Sequence, residues 1–440
     1  MDAAAPEPVE VLIGRAGAAV ARVALDMLGG AYGRRAVVVA GKGNNGADGR
    51  AAAERLQRRG VRTLVIDAGE ASPEVPPCDL VIDAAYGTGF RGDYDAPDAG
   101  GAPVLSVDIP SGVDGLTGQA SACAVRADVT VTFAALKPGL LLSPGAEYCG
   151  RVELVDIGLD VTGAMAHLVE AADVRTWLPA RAPEAHKWQS AVWVVAGSPG
   201  MTGAADLCAR AAMRAGAGMV RLGVPGLAVP EPPLEVVGRV LPETGWDRVV
   251  LDELDRFRAL VVGPGLGRTD ATCAAVRALV AVAPVPVIVD ADGLFALGDT
   301  DAVAEVVAAR RHPTVLTPHE GEFAALAGDR PRPDRIGSVR ALARHTGATV
   351  LLKGSTTVVA APDGRVLREN EGDARLATAG TGDVLSGVVV ASLAQGLDGL
   401  EAAAGAAFLH ATAGHLGWPR GLVAGDLLDL LAPARSRLDT

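Results

Sequence analysis

Short β-branched runs alternate with Ala-rich amphipathic stretches from one end of the chain to the other. That alternation requires crossover helices between neighbouring strands, so it predicts a mostly parallel α/β sheet. In the first half the apolar runs place strands at 36–40, 63–67, 80–83, 104–108, 129–133 and 152–156. A second series follows at 191–196, 220–224, 259–262, 287–290, 314–316, 349–352 and 357–361. Between the two lies 171–187, where Pro179, Pro183 and mixed Arg and Glu read as a surface connection. The predicted boundary falls near Asp173, giving domains 1–172 and 173–440. No repeat at a fixed period interrupts this pattern.

Length and composition agree with two domains. The 440 residues exceed one ordinary core. With 49% apolar and 21% charged residues, a disordered or fibrous chain is excluded, while 55 Gly and 28 Pro mark many tight turns. A balance of 40 basic against 52 acidic residues, −12 net, argues against nucleic-acid or anionic-membrane partners but leaves room for a local anion pocket. Five cysteines, an odd number without a C-x-x-C pair, argue against a disulfide framework or a structural zinc site, and fit a reducing cytoplasm. The acidic start and the Pro-broken apolar run 278–289 predict neither a signal peptide nor a membrane span. Ala-rich exposed helices allow self-association, and a homo-oligomer is expected.

The chemistry begins at GKGNNG, 41–46, which follows a strand and opens a helix near Asp48, with Asp67 ending the next strand. Taken literally this is a dinucleotide fingerprint, in which glycines let backbone N–H groups approach a pyrophosphate. Asp48 beside a pyrophosphate would repel it, whereas as an N-cap it would stabilise the helix. Asn44, Asn45 and Asp48 crowd this turn with polar oxygens, and the strand ends at Asp83 and at Asp108 with Ser111 supply more. Ends of parallel strands open on one crevice, and carboxylate, amide and hydroxyl oxygens without His or Cys suit a hard cation. The alternative is that each of them caps a helix or turn.

GNNGADG (43–49), DAAYGTG (83–89), VDIPSGVD (107–114) and TFAALKPG (132–139) resemble the NAD(P)H-hydrate epimerase domain, a Rossmann-like fold. The resemblance implies potassium held by Asn45, Asp83 and Ser111. It implies substrate contacts from Asn44, Asn45, Gly46, Ala47 and Asp48, from Gly87, Thr88, Gly89, Phe90, Arg91, Gly92 and Asp93, and from Asp108. The implied reaction interconverts the R and S epimers of hydrated NADH or NADPH, with Asp108 transferring protons or holding the ligand. Two departures stand out: Ala47 replaces a usual glycine and is expected to tighten the turn, and the chain before Leu12 looks short for the leading helix that covers the pocket. Lys137 reads as a solvated lysine in a turn.

In the second half ATAGTGD, 377–383, runs into an apolar helix predicted at 384–393, presenting backbone N–H groups as an anion hole. No G-x-x-x-x-G-K-[ST] occurs, and in KGSTT, 353–357, the lysine precedes the glycine. A carboxylate at Asp383 accepts a hydroxyl proton as that oxygen attacks a phosphoryl group; the alternative is an N-cap. VGPGLG (262–267), VDADG (289–293) and LTPHEGE (316–322) each end a predicted strand and face the same crevice, with His319, Glu320 and Glu322 available for ligand or metal-water contacts.

These segments, with His186-Lys187, GSPGMTGA (197–204) and GAG (216–218), resemble the NAD(P)H-hydrate dehydratase domain of the ribokinase-like superfamily. Together the halves look like the fused bifunctional repair family: two three-layer α/β/α domains. The resemblance implies nucleotide contacts from Lys353, Gly354, Ser355, Thr356, Thr357 and Gly382, substrate contacts from Ala204, Gly267, His319 and Asp383, and Asp383 as base. It implies ADP rather than ATP, Mg2+ on the transferring phosphoryl group, and dehydration of the S epimer to NAD(P)H, AMP and phosphate. Trp188-Gln-Ser190 replaces a usual glycine turn and is expected to shift a substrate wall. The alternatives are a ribokinase-like sugar or vitamin kinase with a non-catalytic N-terminal ligand-binding domain, and an NAD-dependent dehydrogenase built on the first glycine turn.

Overall fold

A computed structural model describes residues 7–228 and 231–439. The chain forms two compact units, Met1–Ala164 and Met165–Thr440.

The first unit is a parallel sheet of β1 (Arg35–Ala40), β2 (Arg62–Asp67), β3 (Leu80–Ala84), β4 (Val104–Val107), β5 (Val129–Phe133) and β6 (Arg151–Val155), in the order β2-β1-β3-β4-β5-β6. The order reverses beside β1, so the crevice at the carboxyl ends of β1 and β3 is the topological switch point where ligands bind such sheets. Strand alternation sorts the core. Ala36, Val38 and Ala40 pack with Val20, Ala24, Ala52 and Leu56 from the helices Val9–Leu28 and Asn44–Arg58. Val37 and Val39 face the other way, onto Val75 and Tyr94 from chain without helix. The crossovers on that second face are therefore loops rather than the helices the alternation predicts.

The second unit holds β7 (Ala166–Leu168), β8 (Ala191–Val195), β9 (Met219–Pro225), β10 (Val237–Leu241), β11 (Ala259–Val262), β12 (Val287–Val289), β13 (Thr314–Leu316), β14 (Thr349–Leu352), β15 (Val358–Ala360) and β16 (Val366–Arg368). They form one sheet ordered β10-β9-β8-β11-β12-β13-β14-β15-β16-β7, parallel except where β15 runs antiparallel to β14 and β16. One face packs on the helices Gly203–Arg214, Thr381–Ala394, Gly399–Leu416 and Ala424–Ser436, and the other on those from Trp246–Glu253 to Arg335–Thr346. Thr381–Ala394 and Gly399–Leu416 are buried on nearly every side, which explains why they are apolar all round.

The division falls eight residues or so before the boundary expected near Asp173, because β7 pairs in parallel with β16 and ties the segment after Ala164 to the second sheet. Lys187–Ser190 is a 3-10 helix that enters β8 from its amino end, opposite the carboxyl-end crevice, so it builds no substrate wall there. Among the described residues no helix is long and apolar enough to cross a membrane.

Candidate functional site

In the first unit, the chain leaving β1 enters the helix Asn44–Arg58 with Gly43 as N-cap, four residues before the start expected at Asp48. Asp48 therefore lies in the second turn, buried, and is not the N-cap residue. Ala47 occupies the first turn, where alanine is the favoured residue, so it strains no turn. The glycines serve the chain itself: a Cβ at Gly41 would lie 1.9 Å from the Ala85 carbonyl oxygen, and one at Gly46 would lie 1.9 Å from that of Gly41. Asp67 turns back to the Gly69 N–H at 2.9 Å and does not line the cavity, which removes the acidic partner that a dinucleotide fingerprint needs.

The crevice is a cavity of about 780 Å³. Asn44, Asn45, Asp48, Gly87, Thr88, Gly89, Phe90 and Asp108 line it, with Lys42, Tyr86, Phe133 and Lys137. Val9, Leu12, Ile13 and Ala16 of the leading helix close one side, so the wall that looked short in the sequence is present. Gly46 and Ala47 sit behind the lining, and Arg91, Gly92 and Asp93 lie outside it, with Arg91 paired to Asp114 at 3.3 Å.

Asp83 is buried at the end of β3 and accepts hydrogen bonds from Ser111 Oγ (2.6 Å), the Ser111 N–H (2.9 Å) and Ser106 Oγ (2.9 Å). Burial raises its pKa even against these donors. Both amide atoms of Asn45 are buried without a hydrogen-bond partner, an arrangement that costs free energy unless something binds there.

Lys137 is not solvated. Its ammonium lies 2.5 Å from Asp108 Oδ1 and donates to Thr132 Oγ1 at 2.8 Å and the Phe133 carbonyl at 2.9 Å, and both charged side chains are less than one-fifth exposed. Asp108 itself holds φ 69°, a left-handed backbone that a non-glycine residue adopts at a cost of about 1 kcal/mol or more. The sequence offered the lysine in TFAALKPG, but its partner lies 29 positions upstream on another strand end.

In the second unit the helix bearing Asp383 begins at Thr381, with Gly380 (φ 90°) as N-cap, so Asp383 stands in the first turn and is no cap. The first N–H groups of that turn have no intrahelical acceptor. Lys353, leaving β14, reaches Asp290 Oδ1 at 2.8 Å and Glu322 Oε2 at 3.8 Å, and Ser386 Oγ donates to the other Asp290 oxygen at 2.7 Å. Burial, then the neighbouring Asp290, push Asp383 up to about 6, opposed by Lys353. Burial acts to lower Lys353, and the carboxylates Asp290 and Glu322 overcome it and hold the ammonium charged.

The remaining predicted residues make their own local contacts. Gly382 faces the Lys353 ammonium, a Cβ there lying 3.5 Å from it. Ser355 is exposed, and Arg335, which the sequence reading missed, clamps the 353–357 turn by donating to the Thr356 and Lys353 carbonyls at 3.0 Å each and pairing with Glu320 at 2.7 Å. His319 caps the helix Glu320–Ala327, its Nδ1 accepting the Gly321 and Glu322 N–H groups, while its outer edge faces a cavity of about 350 Å³ shared with Glu322, Arg268 and Phe295. Gly267 donates its N–H to Asp292 at 2.9 Å, and Ala204 follows the loop that the Gly197 N–H ties to the Pro264 carbonyl at 2.7 Å. Among the described residues no group of three or more His, Cys, Asp or Glu side chains is arranged to hold a metal.

Fold and site together define a two-unit α/β enzyme: one unit has a switch-point pocket holding the Lys137–Asp108 pair, and the other is a ribokinase-like unit with Asp383 in the first turn of a helix. Residues 192–432 match the family described as NAD(P)H-hydrate dehydratase, and 9–74 and 64–139 match the family described as YjeF-related protein N-terminus. The "Bifunctional NAD(P)H-hydrate repair enzyme Nnr" of Mycobacterium tuberculosis is 43% identical over 407 residues, 86% of this chain and 82% of that protein. Its counterpart in Moorella thermoacetica is 37% identical over 468 residues, covering 90% and 87%. The solved ADP/ATP-dependent NAD(P)H-hydrate dehydratase from Bacillus subtilis, co-crystallised with ATP/Mg2+, is 32% identical with a TM-score of 0.52, covering 61% of this chain and 97% of that one. A ribokinase-like superfamily protein from Enterococcus faecalis (19% identity, TM-score 0.54, covering 64% and 99%) shares the fold. The chain belongs to the bifunctional NAD(P)H-hydrate repair enzyme family.

Proposed function

We propose that this chain repairs hydrated nicotinamide cofactors in the cytoplasm: the first unit interconverts the R and S epimers of NAD(P)H hydrate, and the second dehydrates the S epimer at the expense of ADP. The observation that carries the reading is Asp383, ionisable near neutrality in the first turn of a buried helix beside Lys353. Asp383 takes the proton of the substrate hydroxyl as that oxygen attacks the terminal phosphorus of ADP, releasing AMP. The C–O bond then breaks, phosphate leaves, and the ring nitrogen supplies the electron pair that restores NAD(P)H. Helix-terminal N–H groups and Lys353 face the charge that builds on the phosphoryl oxygens. Glu322 would help to hold magnesium on the phosphates, and the ion would supply further neutralisation.

In the first unit Asn45, Asp83 and Ser111 are the proposed potassium ligands; the unpartnered Asn45 amide and the uncompensated buried carboxylate support that assignment. A monovalent cation there would offset the Asp83 charge and fix the turn that carries Gly87. A sugar or vitamin kinase would release its phosphorylated product intact, and neither the family matches nor the attached first unit favours it. The test supplies S-NADHX, ADP and Mg2+ and follows the recovered cofactor by its absorbance. Turnover by the intact chain with loss in Asp383→Asn supports the reading; accumulation of a phosphorylated hydrate sinks it.

A further inference from the structure

Hydration places a hydroxyl on the carbon bonded to the ring nitrogen, so the substrate of the first unit is a cyclic hemiaminal. Such a centre inverts by ring-chain exchange, which needs a base for the hydroxyl proton and an acid for the nitrogen. The two reacting heteroatoms sit on one carbon, about 2.4 Å apart by ordinary bond lengths and angles.

Lys137 and Asp108 match that demand. Both line the cavity, and their charged atoms lie 2.5 Å apart, close to the spacing of the hemiaminal oxygen and nitrogen. Thr132 Oγ1 accepts from Lys137 at 2.8 Å and donates to Asp108 Oδ1 at 3.3 Å, so a single hydroxyl sets the position of both groups. The Phe133 carbonyl takes a further ammonium proton at 2.9 Å. The backbones of Asp108 and Ala134, just beyond β4 and β5, both adopt positive φ (69° and 63°), a conformation retained only where the surroundings enforce it.

We propose that Lys137 is the general acid of epimerisation, working as a couple with Asp108; the proposal rests on the epimerase reading of this unit. Asp108 removes the hydroxyl proton as the carbon–oxygen double bond forms. The carbon–nitrogen bond breaks, its electron pair passes to nitrogen, and nitrogen takes a proton from the Lys137 ammonium. The open-chain aldehyde rotates about its bond to the neighbouring carbon, and nitrogen adds back to the opposite face. Nitrogen returns its proton to Lys137, and the oxygen recovers its own from Asp108. Nothing is consumed, and neither water nor an oxidant enters.

The test mixes the full-length protein with R-NADHX without nucleotide, so that dehydration is silent, and measures the appearance of the S epimer chromatographically. Wild type should exceed the spontaneous rate, with Lys137→Met at least 100-fold slower and Lys137→Arg, which keeps the charge and the pairing but is too weak an acid, comparably slow. Added methylammonium should restore part of the Lys137→Met rate, which no structural role of the lysine would produce. A Lys137→Arg or Lys137→Met protein that epimerises at the wild-type rate, or a slowed Lys137→Met that no small amine rescues, overturns the proposal. Wild type no faster than the spontaneous reaction instead removes the epimerase reading on which it stands.

Discussion

As the proposed base, Asp383 acts only after it loses its proton, and the fold delays that loss. Burial and the neighbouring Asp290 carry it from 3.8 to about 6, a shift worth about 3 kcal/mol in favour of the protonated form. Two measurements follow. The dehydration rate, kcat/KM with S-NADHX, ADP and Mg2+, should rise with pH along an acid limb near 6, with about one-tenth of the enzyme active at pH 5 and nine-tenths at pH 7. Stability should run the other way, because a carboxyl whose folded pKa is raised contributes its full stabilisation below about pH 4 and loses it as pH climbs through 6. Asp383→Asn, which carries no charge, should therefore abolish turnover yet raise the stability of the second unit by up to about 3 kcal/mol at pH 8, falling to about half that at pH 5. Denaturant unfolding at the two pH values reads the second effect. Lys353→Met, which removes the charge opposing the shift, should move the acid limb of any remaining activity above 6. A limb near pH 4, or an Asn variant that is both active and no more stable, would refute the reasoning.

Arg310 is half-buried and, among the described residues, has no carboxylate partner: its guanidinium donates to the Thr314 hydroxyl at 2.7 Å and the Val285 and Ala283 carbonyls at 2.8 and 3.2 Å, and burial lowers its pKa to about 10. Arg310→Met strands these acceptors and should destabilise the second unit by about 2–4 kcal/mol in urea, with epimerisation untouched. Gly46→Ala drives a Cβ to 1.9 Å from the Gly41 carbonyl and should cost about 3 kcal/mol in the melting of the first unit, whereas Ala47→Gly should cost only about 1 kcal/mol. Replacing potassium with a bulky organic cation should lower epimerisation in wild type, and Asn45→Ala should blunt that response, read by the same chromatographic assay.

Most of the sheet framework was legible because its strands are buried on both faces and spell apolar runs: β3, β5, β8 and β11 are buried at every position. The three strands missing from the sequence reading, β7, β10 and β16, lie at or next to a sheet edge and are short or half-exposed. Ala-His-Leu and Val-Gly-Arg-Val-Leu carry too little alternation to stand out from a loop. Helix starts were read late at both key turns for one physical reason. Small polar residues favour caps in isolation, yet glycines at 43 and 380 took the cap positions and drew Asp48 and Asp383 into the helices.

What sequence spacing could not deliver is the charge opposite each aspartate. Asp108 and Asp383 were visible as carboxylates at strand and helix ends, but their chemistry depends on Lys137 and on Asp290 with Lys353, brought in by strands distant along the chain. The two sites answer the same problem in opposite ways. In the first unit the lysine pairs with the aspartate and is held by the Thr132 hydroxyl and the Phe133 carbonyl, an arrangement that the proposed epimerisation would use to move protons both ways. In the second unit the lysine is drawn to Asp290, while burial and the like charge of Asp290 raise Asp383 to about 6, which suits the single proton transfer proposed for dehydration. The partner of the aspartate, rather than the aspartate, separates an acid–base couple from a single base, and that partner is set by sheet order.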